Sequence, residues 1–159
     1  STIIGLVFGG ILVLSGSACS IALLNASASG DTTRVLHLLE AGHNVNEAFP
    51  IVGTRPLMLA SAYGHAETVA ALLDAGADIQ ASDLTGWTAL HPAAFSGDYA
   101  TVSLLLQRGA EAGKPRWYLT SPADIARMLG HTKIVSILQK GELPPDNQAP
   151  SSPEHNSSP

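Results

Sequence analysis

Glycine recurs in this chain with a period that few folds can accommodate. Gly30, Gly64, Gly97 and Gly130 stand 34, 33 and 33 residues apart, and a second ladder of Gly42, Gly76 and Gly109 runs in the same register. Between the ladders lie GDTTRVLHLLEAG, GHAETVAALLDAG and GDYATVSLLLQRG, each with Leu or Val at helical spacing. Upstream of each first-ladder glycine sits a shorter helical pattern: SIALLNASAS, TRPLMLASAY, TALHPAAFS and SPADIARML. A repeat of this length, alternating a short helix, a longer helix and a turn, implies a solenoid. One helix pair cannot hide its apolar side alone, and stacking neighbours hides it.

The residue types agree with that reading. Ala60, Ser61, Ala93, Ala94 and Ala126 remove bulk where one short helix must approach the next. Val69, Leu72, Leu73, Val102, Leu105 and Leu106 form the apolar stripe of the longer helices and are assigned to the core. Each longer helix should end at a second-ladder glycine, which supplies the left-handed conformation of a helix terminus. Gly86 provides a further turn, after which Thr88 is expected to cap the next short helix and to pair with His91.

The segments GTRPLMLASAYGHAETVAALLDAGADI and GWTALHPAAFSGDYATVSLLLQRGAE resemble ankyrin repeats. The resemblance implies an all-α solenoid of four repeats, about 20–47, 48–80, 81–113 and 114–140, joined by short hairpin fingers. Two repeats depart from the family pattern of Thr and His at the start of the short helix. Arg55 and Met58 replace them in the second repeat, which loses the cap, and Ser121 and Asp124 replace them in the fourth, which keeps one. The polar residues of the first and fourth repeats mark them as the ends of the stack. The segment 141–159, rich in Pro, Ser and Asn, reads as a disordered tail.

Charge and composition exclude several functions. Only 13% of residues are charged and the net charge is -5, so a phosphate backbone meets no basic field and nucleic acid is not an expected partner. No phosphate loop, dinucleotide fingerprint or nucleophile elbow occurs, and no histidine pair shows zinc-ligand spacing. The expectation is a monomer that is not an enzyme, with no catalytic residues, cofactor, metal or small-molecule substrate. His65, His91 and His131 have structural explanations at repeat positions.

The region before the first repeat has a different character. The first thirty residues carry no charge, and residues 3–14 (IIGLVFGGILVL) are unbroken apolar residues and glycine. Twelve residues of helix reach ~18 Å against a bilayer core of ~30 Å, which favours a signal-peptide core over a spanning helix. The following Ser15-Gly16-Ser17-Ala18-Cys19 resembles the lipobox of bacterial lipoproteins, which implies lipidation at Cys19 after removal of residues 1–18. The expected location is the bacterial cell envelope, periplasmic side, with the membrane held by that lipid. A single-pass membrane anchor and a cytoplasmic protein are the alternatives.

For function, the ankyrin resemblance implies a scaffold that holds a protein partner on its concave face. The residues that the family would use fall at Ile51, Val52 and Thr54 in the first finger, Leu84, Thr85 and Trp87 in the second, and Trp117 and Tyr118 in the third. Tyr63, Phe95 and Met128 follow from the ends of the short helices. Of eight aromatic residues in the chain, five fall on this face, and such rings are common interface anchors. An inhibitor or accessory subunit covering an enzyme's active site would use the same surface.

Overall fold

The computed structural model describes residues 21–112 and 120–140. Within them the secondary structure is entirely helical, as the glycine period requires. A first helix, α1, covers residues 21–29 and is followed by α2 (Thr32–Glu40), α3 (Pro56–Ala62), α4 (Ala66–Asp74), α5 (Leu90–Ser96), α6 (Tyr99–Gln107), α7 (Pro122–Met128) and α8 (Thr132–Lys140). They form four antiparallel pairs. The short helices stack as an inner row in which α3 packs on α5 and α5 on α7, while α2, α4, α6 and α8 stack as an outer row. The proposed repeat limits at 20 and at 113–114 and the tail 141–159 lie outside the described residues.

Local chemistry sets where each helix begins. Asp31 accepts from the Arg34 backbone N–H at 3.0 Å to start α2, and Asp98 does the same for α6 through the Thr101 N–H at 3.0 Å. Ser121 and Asp124 form a reciprocal capping box at α7, and Arg55 makes no side-chain cap at α3, both as expected. Thr88 differs in detail from its expected role. α5 starts at Leu90 with Ala89 as its cap, and Thr88 is tied to His91 instead, its N–H donating to Nδ1 at 3.0 Å.

Packing between the rows is close because the inner helices are small-sided. Ala60, Ala93, Ala94 and Ala126 are fully buried, and Leu23, Val35, Val69, Leu72, Leu90, Val102, Leu105 and Ile134 fill the space between rows. The first-ladder glycines serve a second purpose beyond their positive φ. A Cβ on Gly30 would lie 2.7 Å from Cγ of His65, one on Gly64 would lie 3.2 Å from Cβ of Asp98, and one on Gly97 would lie 2.5 Å from Cε1 of His131. Each of these three glycines is thus covered by the residue that immediately precedes the outer helix of the next repeat.

Polar side chains stitch the turns together at the same interval. Asn46 donates to the Gly76 carbonyl at 3.2 Å and accepts from the Asp78 N–H at 2.7 Å. Gln80, in the next repeat, donates to the Gly109 carbonyl at 3.0 Å and accepts from the Glu111 N–H at 3.4 Å. These amides satisfy backbone groups that the helix ends leave unpaired.

Candidate protein-binding face

The fingers between α2 and α3 and between α4 and α5 are tight turns. In the first, the Phe49 N–H donates to the Thr54 carbonyl at 2.8 Å and the Gly53 N–H to the Phe49 carbonyl at 2.8 Å. In the second, the Asp83 N–H donates to the Trp87 carbonyl at 2.9 Å, and the Asp83 carboxylate accepts from the Thr85 N–H at 2.8 Å and the Trp87 N–H at 3.0 Å. The first turn holds one residue more than the second. The Leu84 N–H donates to the Val52 carbonyl at 3.2 Å, which joins the two fingers.

The expected binding residues separate into three groups. Ile51 and Leu84 at the finger tips are 74% and 75% exposed, and Tyr63, Phe95 and Met128 at the ends of the inner helices are 63%, 60% and 79% exposed. Val52 and Thr85 are also exposed. Thr54 and Trp87 are half-buried, and the Trp87 ring stacks on His91 with centroids 5.6 Å apart and an interplanar angle of 15°. Much of that ring therefore supports the finger base, and less of it faces outward than its position alone suggested. Trp117, Tyr118 and Cys19 lie outside the described residues.

His91, beneath that ring, is 2% exposed. Because its Nδ1 accepts from Thr88, the ring proton sits on Nε2, which finds no hydrogen-bond partner among the described residues. Burial pushes its pKa below the ordinary histidine value, against a smaller upward pull from the Asp83 carboxylate. His65 is satisfied by the Ala28 carbonyl at 3.0 Å. Among the described residues no group of three or more His, Cys, Asp or Glu side chains is placed to hold a metal, and no helix is long and apolar enough to cross a membrane.

Sequence reasoning missed one feature of the face. A cleft of about 250 Å³ opens between Ile21, Leu24 and Asn25 of α1, Phe49, Val52 and Thr54 of the first finger, and Leu59 of α3. Thr54 lines it at the position where the second finger carries Trp87. Each follows its turn glycine, Gly53 or Gly86, so the difference in size is visible in the sequence, but the facing wall of Leu24 and Leu59 that makes it a cleft is not.

Comparison with known proteins agrees with the architecture. The family model for ankyrin repeats matches residues 23–116 in three copies. Chicken (Gallus gallus) inversin is 33% identical over 96 residues, 60% of this chain, and human (Homo sapiens) inversin is 32% identical over 133 residues, 84% of it. Mouse (Mus musculus) ankyrin repeat, SAM and basic leucine zipper domain-containing protein 1 is 35% identical over 115 residues, 70% of the chain. The chain spans only 9%, 12% and 24% of these relatives' lengths respectively. With four stacked helix pairs, two glycine ladders and a family match over more than half its length, the chain belongs to the ankyrin-repeat family of protein-interaction modules.

Proposed function

We propose that the chain holds a partner protein on the face made by its finger tips and inner helices. Ile51, Val52, Leu84, Tyr63, Phe95 and Met128 are the anchors and Thr54, Thr85 and Trp87 lie between them; Trp117 and Tyr118, outside the described residues, are assigned to the same face by their repeat positions alone. The observation that carries this reading is the exposure of these six large apolar side chains at the finger tips and inner-helix ends of a stack whose other large apolar residues are, among those described, mostly packed away. Apolar groups gathered on one surface rather than scattered mark an interaction site. Leu84→Glu combined with Phe95→Ala should abolish co-purification of the partner while far-UV helical content stays unchanged. Retained partner with both substitutions present would refute the assigned face.

The same proposal tethers the scaffold to a membrane in the bacterial envelope, facing the periplasm. Its support is the apolar run at residues 3–14 and the small-residue segment that leads to Cys19. Acylation there would hold the stack at the surface without a spanning helix. Cys19→Ser should move the protein from the membrane fraction to the soluble fraction, and unchanged fractionation would refute the tether.

A further inference from the structure

The chemistry of this face narrows what can dock on it. Neither α3 (PLMLASA) nor α5 (LHPAAFS) carries an acidic residue, lysine or arginine. At its borders Arg127 is paired with Asp124 at 2.7 Å, while Arg55 and Asp83 are hydrogen-bonded to neutral groups, Arg55 to the Ser82 carbonyl at 2.7 Å and Asp83 to Thr85 and Trp87. A partner surface matched to α3 and α5 is apolar, because a charge brought against these two helices would lose its water and gain no counter-charge from them.

Backbone chemistry makes a second selection. The fingers already pair with each other through Leu84 and Val52, and no β-strand with a free edge exists among the described residues. An extended segment laid across the face would press its own N–H and C=O groups against apolar side chains, with nothing to pair them. A helix pairs its backbone internally and presents only side chains. The spacing agrees, since packed inner helices lie ~8–10 Å apart and residues i and i+7 of a partner helix lie ~10.5 Å apart. The cleft beside Thr54 supplies an anchor point. An apolar cavity of ~150 Å³ accepts a benzene ring, so the 250 Å³ here takes a bulky side chain, with the Asn25 amide among its lining groups.

We infer that the partner presents an amphipathic α-helix that runs along the stacking direction, with one large apolar side chain seated between Leu24, Phe49 and Leu59. This inference rests on the proposed binding face and specifies what that face receives. A display library of random peptides of about 16 residues, ~24 Å long as helices, panned on the immobilised full chain, tests it. Thr54→Trp fills the cleft with the residue that the second finger already carries, and Asn25→Arg, at an exposed position of the cleft lining, is a second, independent obstruction. Clones weakened roughly tenfold or more by either variant should show apolar residues at i, i+3 or i+4, and i+7, and as synthetic peptides they should gain helical circular dichroism on binding. Clones weakened by Leu84→Glu but untouched by both cleft variants, or clones with alternating or charge-dominated patterns, would overturn the helix inference and leave the face standing. Clones indifferent to all three substitutions, or none above background, would overturn both.

Discussion

Replacing Gly30 with alanine should destabilise the stack far more than the same change at Gly130. Both glycines have positive φ, 72° and 80° respectively, so each alanine bears the left-handed penalty of ~1–2 kcal/mol, offset by ~0.4–1 kcal/mol of reduced freedom in the unfolded chain. At Gly130 nothing described lies within 4 Å of a new Cβ, and the net loss should be about 1 kcal/mol. At Gly30 the new atom would sit 2.6 Å from Nδ1 and 2.7 Å from Cγ of His65, so the whole ring must move. Moving it breaks the 3.0 Å bond from Nε2 to the Ala28 carbonyl and leaves that acceptor without its partner, a further ~1–3 kcal/mol. The total at Gly30 is then about 3 kcal/mol, and the gap between the variants about 2 kcal/mol. Urea unfolding of the full chain, followed by circular dichroism with unchanged m-values, reads that gap. Two variants within about 0.5 kcal/mol of each other would show that His65 does not cover Gly30 as described.

Two further outcomes follow from buried or capped groups. His91 is held below its ordinary pKa of 6.5 in the folded state, so below that pH the unfolded chain takes up a proton that the folded chain refuses. Its contribution to stability is complete above pH 6.5 and is lost as pH falls below it; an NMR titration giving His91 a pKa at or above 6.5 would contradict this. Ser121→Ala removes both bonds of the Ser121 hydroxyl, the one it accepts from the Asp124 N–H at 3.2 Å and the one it donates to the Asp124 carboxylate at 2.7 Å, and should lower stability by ~0.5–2 kcal/mol. The Asp124 carboxyl, held low chiefly by Ser121, should titrate higher in that variant, and an unchanged Asp124 titration would count against the box.

The helix pairs and their order were legible because both depend on short-range rules. Gly76 must end α4 whatever surrounds it, and Val69 and Leu72 must share a face of that helix. The capping box at Ser121 was legible for the same reason, and the exposure of Ile51, Leu84, Phe95 and Met128 matched their repeat positions. What could not be read depends on side chains that meet across repeats. The Asn46 and Gln80 bridges, the His65 ring over Gly30 and the cleft against Leu24 each join residues some thirty positions apart. Trp87 illustrates the limit within one finger. Its place beside the turn glycine suggested an outward ring, yet the turn of α5 brings His91 beneath it and the side chain is partly buried.

Site-directed photo-crosslinking tests most directly whether this stack offers its inner side to a guest. A photoreactive residue would be placed singly at Leu84 and Phe95 on the inner side, and at Glu67 on the outer helix α4, in the protein as it is made in its cell. Adducts of one common mass at Leu84 and Phe95, with none at Glu67, are the expected result. Adducts confined to Glu67, or equal at all three sites, would contradict the assignment of the inner face.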